Sequence, residues 1–150
     1  MAINTAWTLD FEGGFRAAVG ELEMVHLIQF PNLIDIPHSP FCCRQVLIWQ
    51  ENIIPVMDIG AWLNGYYGKF QQPLVGIFAY QEQADAYLHY GALLLAAIPR
   101  RLRVSDQQAC ELPTQPTGWK ALAFSCFSEG NQAVPILNLQ HIFSGALISL

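Results

Sequence analysis

The residues of this 150-residue chain that could support catalysis lie close together between positions 38 and 44. His38 precedes Cys42 by four residues, and Cys43 adjoins Arg44. A thiolate activated by a nearby imidazole is a common nucleophile, and a neighbouring cation lowers the pKa of a thiol. One hypothesis is therefore a thiol-dependent enzyme using Cys42 or Cys43, although no signature of such an enzyme surrounds them.

Other catalytic and metal-binding patterns are missing from the sequence. The four histidines have no metal-ligand spacing such as H-E-x-x-H. No phosphate-binding loop, dinucleotide fingerprint or G-x-S-x-G motif occurs. Asp58 has no partner carboxylate nearby, and a helix cap explains it better than a general base. Apart from the hypothesis of a thiol-dependent enzyme, the sequence therefore predicts no enzyme active site, and it predicts no metal ion and no cofactor.

The composition is apolar and poor in charge. Hydrophobic residues make up 53% and charged residues 13% of the chain, against about 25% charged in an average soluble domain. Contiguous apolar surface is therefore expected, and such surface usually marks a protein partner. The net charge of −5 provides no basic footprint for nucleic acid, and we expect Arg100, Arg101 and Arg103 to line the solvated face of a strand.

Targeting and membrane signals are also missing. The first 14 residues contain no Lys or Arg, which excludes the positive region of a signal peptide. The longest apolar stretch, Ala92–Ile98, is far shorter than the roughly 20 residues that span a bilayer. Four cysteines without a C-x-x-C motif predict free, buried thiols. We expect a cytoplasmic protein that does not insert into a membrane.

Short strands dominate the predicted secondary structure. Trp7, Leu9 and Phe11 alternate with polar residues before Gly13-Gly14, which predicts a first hairpin. Two more hairpins are predicted, with turns at 50–52 and 128–131. Further strands are predicted at 25–30, 74–80 and 91–98, and the last is expected to continue through 100–104. The proline-containing segment 30–40 is expected to form an edge strand or an irregular connection. The segment 81–89 is predicted as a polar loop and 112–118 as a connector. This pattern favours an all-β barrel or sandwich.

An internal repeat indicates two similar β units. Ile53–Gly65 matches Ala133–Gly145, 80 positions later, in a strand followed by a short helix. In each copy an Asp or Asn can cap the helix and a glycine can end it. Ten of the 13 aligned positions agree in type, including the identical pairs Pro55 with Pro135 and Gly65 with Gly145 and the conservative pair Asp58 with Asn138. We expect the two prolines to occupy equivalent places near a sheet edge or bulge, because proline lacks an N–H to donate.

The order of several motifs resembles that of CheW-like chemotaxis adaptor domains. Pro31–Pro40 is similar to the P-x-I-T-x-V-P-x-x-P connection of this family, and Ile53–Asp58 to its I-V-P-V-x-D-L strand. Gly14–Gly20 stands where the family has G-x-x-Y-A-I-P, and Tyr90–Leu94 where it has a Gly-Leu-Leu-Val-Asp strand. The resemblance extends over about Ala6–Ser144.

The resemblance implies a mainly β fold of two intertwined, five-stranded SH3-like barrels. They would share a core in a single domain over residues 1–150, with short helices after the Pro55 and Pro135 strands. It also implies a non-enzymatic adaptor that couples the regulatory domain of a CheA-like histidine kinase to a chemoreceptor cytoplasmic tip, in a flagellar or type IV pilus system. The alternatives are a β-barrel module that binds a small apolar ligand and the thiol-dependent enzyme.

The chain departs from the family at the positions that face the receptor. The family usually carries N-L-R-G before the I-V-P-V strand, but here Gln50 replaces the Arg. In the family's V-x-E-V-I segment, His26 replaces the Glu. By resemblance, the receptor groove includes Met24, His26, Gln45, Gln50 and Glu51. An amide cannot reproduce the charge-assisted contact of a guanidinium, so we expect altered receptor binding and retained kinase docking, as in accessory adaptors of pilus-type systems.

Overall fold

The structure is a computed structural model that describes residues 3–65, 73–82, 87–145 and 147. It is mainly β, as predicted. The strands are β1 (Ile3–Phe11), β2 (Phe15–Gly20), β3 (Met24–Gln29), β4 (Ile34–Asp35), β5 (Gln45–Trp49), β6 (Asn52–Met57), β7 (Leu74–Gln81), β8 (Leu88–Leu95), β9 (Arg100–Ser105), β10 (Ala123–Glu129) and β11 (Gln132–Leu137). The helices are α1 (Ile59–Asn64), α2 (Trp119–Leu122) and α3 (Leu139–Phe143), and a 3₁₀ turn covers Asp106–Gln108.

The three predicted hairpins are confirmed. β1 pairs with β2, β5 with β6 and β10 with β11, all antiparallel. Gly13, Gly14 and Gly130 have positive φ in the first and third turns, which glycine adopts without steric cost. In the second turn, Gln50 and Glu51 both have positive φ although neither is glycine. Such a conformation matches the twist of a two-residue hairpin but is strained for these side chains.

The strands form two sheets. One sheet, here called barrel A, has the order β10-β11-β2-β1-β9, and the other, barrel B, has the order β3-β7-β8-β6-β5-β4. Barrel B has a sixth strand beyond the five predicted, because the two residues of β4 pair with the start of β5. In barrel B, the ring of His26 on β3 lies beside that of Trp49 on β5, so the sheet curves until distant strands meet.

The chain crosses between the barrels twice. β1 and β2 lie in barrel A and the next strand, β3, in barrel B, whereas β7 and β8 lie in barrel B and the next strand, β9, in barrel A. The prediction that 100–104 continues the strand at 91–98 is therefore wrong: β8 ends at Leu95, and β9 pairs with β1. The buried Pro99 immediately precedes the crossing, where its fixed φ breaks the run.

The pairing registers extend the repeat to most of the described chain. β1, β2 and β3 correspond in order and pairing to β7, β8 and β9, and β5, β6 and α1 to β10, β11 and α3. The parallel contacts of β6 with β8 and of β11 with β2 match as well. Equivalent residues include Arg16 with Tyr90, Ala18 with Ala92, Arg100 with His26, Glu129 with Trp49 and Ile136 with Val56.

The matched ends of the repeat occupy equivalent places, as predicted, although Pro55 and Pro135 lie in the interior strands β6 and β11 and not at a sheet edge or bulge. Asp58 and Asn138 cap α1 and α3, each accepting a hydrogen bond from the backbone N–H three residues later. Pro55 lies opposite Val46, and Pro135 opposite Cys126. In both copies the parallel pairing begins one residue after the proline, so the missing N–H falls at the same point of each sheet.

The largest hydrophobic cluster joins the barrels. It includes Phe11, Phe78, Leu93, Trp119 and Ile142, all buried, from strands of both sheets and from two helices. Each barrel also has its own interior cluster, of seven buried residues in barrel B and three in barrel A. Within the described residues, no helix has the length and apolar character needed to cross a membrane.

Candidate functional site

Three of the five predicted groove residues come together at one end of barrel B. Gln50 and Glu51 form the exposed β5–β6 turn, and Trp49 precedes them directly. His26 reaches this turn from β3, with its ring centroid 6.2 Å from that of Trp49. We call His26, Trp49, Gln50, Glu51 and Tyr90 the aromatic end of barrel B.

Trp49 is the centre of this group. Its ring centroid lies 5.1 Å from that of Tyr90 on β8, and both residues pack against the interior cluster of barrel B. The position explains why the indole is only half-buried: one side closes the barrel and the other faces His26. The sequence alone does not reveal the contact between Trp49 and Tyr90, because it depends on the curvature of the sheet.

The other two groove residues lie elsewhere. Met24 begins β3 and packs against the cluster that joins the barrels. Gln45 begins β5, and its side-chain N–H donates to the carboxylate of Asp35 at 2.9 Å. Gln45 and Gln50 are five residues apart along a strand, which corresponds to about 16 Å. The structure therefore does not gather the five residues into one cluster.

The aromatic end contains little charge. It combines an imidazole, an amide and two aromatic rings, and Glu51 is its one carboxylate. On the outer face of the same hairpin, Ile48 and Ile53 lie opposite each other and are 62% and 73% exposed. Large exposed aliphatic side chains beside an aromatic platform are typical of protein-binding surfaces. This end is suited to contacts through aromatic, aliphatic and amide groups.

The equivalent end of barrel A is charged. Arg16 occupies the position equivalent to Tyr90, and Glu129 occupies the position equivalent to Trp49. The guanidinium of Arg16 donates to the carboxylate of Asp10 at 2.8 Å and to that of Glu129 at 3.3 Å. The two carboxylates raise the pKa of Arg16. The residues equivalent to Ile48 and Ile53 are Ser128 and Ala133. The apolar surface is therefore a property of barrel B and not of the shared fold.

The thiols proposed for catalysis are parts of the core. Cys42 is 1% exposed, and its backbone carbonyl accepts from the N–H of Asp58 at 2.8 Å. The second repeat has the same contact between Leu122, a fully buried leucine, and Asn138. Burial raises the pKa of the Cys42 thiol to about 11, and it also raises that of Cys43. A protonated thiol in a leucine-like position is a poor nucleophile, and His38 is exposed.

Barrel A contains a partly open cavity of about 290 Å³. Its wall includes Ala6, Ala18, Gly20, Cys126 and Ile136. The sequence accounts for the cavity, because two residues of its wall, and a third buried residue that does not line it, are smaller in barrel A than their equivalents in barrel B. These pairs are Ala6 with Val75, Thr8 with Ile77 and Gly20 with Leu94. The missing side-chain volume leaves space that barrel B fills.

Comparisons with known proteins agree with this architecture. A family model described as CheW-like domain matches residues 13–146. The solved structure of the scaffolding protein TtCheW from Thermoanaerobacter tengcongensis is similar, with a TM-score of 0.73 and 14% sequence identity over 91% of this chain and 90% of that chain. No curated protein matches the sequence. The predicted fold of two SH3-like barrels is confirmed.

Proposed function

Because this chain belongs to the CheW-like domain family, we propose that it is a non-enzymatic, cytoplasmic adaptor in chemotaxis-type signal transduction. It couples the regulatory domain of a CheA-like histidine kinase to the cytoplasmic tip of a chemoreceptor. The observation that carries the proposal is the family match over residues 13–146. The exposed apolar surface of barrel B supports it, because an adaptor works through such surfaces.

The aromatic end of barrel B is the proposed receptor-binding surface. His26 and Gln50 lie there together, next to the ring of Trp49. A receptor tip that fits this surface needs apolar and hydrogen-bonding groups rather than a carboxylate that pairs with an Arg. A receptor tip that requires the usual Arg should therefore bind weakly.

Calorimetric titration of the wild type and Gln50→Arg against such a receptor tip tests this assignment. The substitution should strengthen binding by about 1–3 kcal/mol, the range of a hydrogen bond to a charged group. Asn131→Arg places the same charge in the exposed β10–β11 turn of barrel A and should leave the affinity unchanged. Tight wild-type binding that Gln50→Arg does not alter would contradict the assignment.

The outer face of the β5–β6 hairpin is the proposed kinase-binding surface. Side chains alternate along a strand, so Ile48 points away from the side on which Trp49 lies. Together with Ile53 it provides an exposed aliphatic pair for an apolar surface of the kinase regulatory domain. This placement leaves both partners free to bind at once.

Two serine variants test the kinase surface. Ile48→Ser introduces the residue that barrel A has at this position and should weaken binding to the kinase regulatory domain at least tenfold. Phe124→Ser removes an exposed apolar side chain of barrel A and should have little effect. Equal losses in the two variants, measured by calorimetry, would contradict the assignment to barrel B.

We further propose that the adaptor serves a pilus-type system. The support is the loss of the groove Arg and Glu at Gln50 and His26, since such an adaptor must match a different receptor. Deletion of the gene in its host should abolish twitching motility and leave swimming intact. Loss of swimming alone would assign the protein to a flagellar system.

The cavity of barrel A supports a second candidate function, the binding of a small apolar ligand. A pull-down with the kinase regulatory domain separates the two functions, because an adaptor binds that domain without any small molecule. Binding that requires an extracted small molecule would favour the ligand-binding module.

A further inference from the structure

Cys110 and Cys126 form a close pair of thiols that the proposed function does not use. Their sulfur atoms are 3.3 Å apart, and the Cys110 thiol donates to the Cys126 sulfur. Cys110 is exposed and Cys126 is buried. No sequence motif connects the two cysteines, because 15 residues separate them along the chain.

The backbone holds the two cysteines opposite each other. Ala109 and Phe127 form an antiparallel bridge, and the N–H of Cys110 donates to the carbonyl of Cys126 at 3.0 Å. On the other side of the bridge, the side-chain amide of Gln108 donates to the carbonyl of Ser128 at 3.0 Å. Directly opposed residues of an antiparallel pair have Cα atoms about 5.5 Å apart, within the range that a disulfide spans.

We propose that Cys110 and Cys126 are a redox-active pair that forms a reversible intramolecular disulfide when a peroxide oxidises the protein. The inference does not depend on the adaptor function. It assigns a modification site to the edge of barrel A, next to the connection that leads from β9 to β10.

The exposure of the two thiols sets the order of the steps. The Cys110 thiolate attacks hydrogen peroxide, the O–O bond breaks, and Cys110 becomes a sulfenic acid as hydroxide leaves and takes up a proton. The Cys126 sulfur then attacks the Cys110 sulfur, its proton goes to the departing hydroxide, and water leaves. In total, two thiols lose two electrons and two protons, and one peroxide becomes two waters.

Cys126 is suited to the second step only. Burial and the adjacent Cys110 raise the pKa of the Cys126 thiol to about 12, so it is protonated at neutral pH. Its buried position also keeps the oxidant away from it. Cys42 and Cys43 are both buried, which protects them from direct oxidation.

The disulfide would tie the connection between β9 and β10 to the barrel. The segment from Cys110 to Cys126 contains Gly118, whose carbonyl accepts from the Trp62 indole at 3.2 Å, and the buried Trp119. Trp62 and Trp119 lie where the barrels pack together. Oxidation would therefore restrict the segment that joins the edge of barrel A to the shared core.

Peptide mapping of the full-length protein tests the pairing. Trypsin cleaves after Lys120, so Cys110 and Cys126 fall on separate peptides, 104–120 and 121–150, while Cys42 and Cys43 share the peptide 17–44. After peroxide treatment and alkylation of free thiols, the non-reduced digest should contain 104–120 linked to 121–150. A dithiol reductant should reverse the link.

Matched variants make the result specific. Cys110→Ser changes an exposed residue and should abolish the link, whereas the double variant Cys42→Ser, Cys43→Ser should retain it. Oxidation should also raise the melting temperature of the wild type by on the order of 5–10 °C and leave that of Cys110→Ser unchanged. A link between two chains, a link through Cys42 or Cys43, or conversion of Cys110 to a sulfinic acid without a link would overturn the proposal.

Discussion

Barrels A and B have the same order of equivalent strands but differ at equivalent positions. Barrel B fills its interior with Val75, Ile77 and Leu94, whereas barrel A has two smaller residues and a glycine at these positions and contains a cavity. Trp49 and Tyr90, whose rings are tilted by 59°, close the end of barrel B, and an ion-paired Arg and Glu close the same end of barrel A. The two barrels share one backbone arrangement, because their pairing registers are the same. Their side chains differ, so barrel B has a filled interior and an apolar end, whereas barrel A has a cavity and a charged end.

The largest expected effect tests how far barrel B depends on its filled interior. Leu94→Ala removes a buried side chain that has no counterpart in barrel A and should lower the free energy of unfolding by about 3 kcal/mol. Denaturant unfolding measures it, with Leu22→Ala, at a residue 89% exposed, as the control that should change little. A loss below about 1 kcal/mol would mean that the interior of barrel B collapses around the gap.

The closed ends of the barrels give the next test. Trp49→Ala should lower the free energy of unfolding by about 2 kcal/mol, because the half-buried ring packs on Tyr90 and the interior cluster. Glu129→Ala, at the equivalent position, should cost below about 1 kcal/mol, since its partner Arg16 keeps Asp10 and the pair is partly solvated. Equal losses in denaturant unfolding would show that the aromatic contact stabilises no more than the ion pair.

The two helix caps differ in charge and therefore in their response to pH. Burial raises the pKa of Asp58, with Glu12 adding to the rise and the Ala61 N–H and Arg44 opposing it. Because the folded protein holds this proton more tightly, the contribution of Asp58 to stability should fall as pH rises above its ordinary pKa of 3.8, until the carboxyl ionises in the folded state.

Asp58→Asn should remove that dependence, because Asn138 caps α3 with the same hydrogen bond and no charge. The variant should gain on the wild type by on the order of 1 kcal/mol as pH rises from 4 to 7, the scale of leaving the buried Oδ2 of Asp58 without a partner. Thermal unfolding across this range measures the gain, and a difference that does not change with pH would contradict it.

The smallest expected effect comes from a substitution that fills part of the cavity in barrel A. Ala6→Val introduces the side chain that barrel B has at the equivalent position, and it should raise the free energy of unfolding by about 0.5–1 kcal/mol. The change should appear as a higher denaturant midpoint with an unchanged slope. A destabilised variant would show that the cavity wall cannot accept two more carbons.

Local features of the fold could be predicted from the sequence, and features set by curvature could not. Alternation, turn residues and caps lie within short segments, so the hairpins and the Pro55 and Pro135 repeat are visible in the sequence. The polar loop predicted at 81–89 is too long, because Gln81 ends β7 and Leu88 and His89 begin β8, and positions 83–86 lie outside the described residues. The path after Pro99 was predicted wrongly, because an apolar run does not reveal which sheet receives the next strand.

The candidate site shows the same division. The resemblance to the family identifies His26 and Gln50 as groove positions. The two residues lie near each other because the sheet curves and brings His26 of β3 to Trp49 of β5. The contact of Cys110 with Cys126 likewise depends on an isolated bridge between a connection and a strand. No spacing rule in the sequence could indicate either contact, since both depend on tertiary structure.

The exchange of β3 and β9 between the barrels has a consequence for how this architecture can arise. Barrel A combines two strands of the first repeat with three of the second, and barrel B combines two strands of the second with four of the first, so neither repeat encloses a barrel by itself. Two separate copies of one repeat would produce the same arrangement as a symmetric, strand-swapped homodimer. The present chain is arranged like two such subunits joined into one, and a single chain allows the two halves to have different surfaces, which identical subunits cannot have.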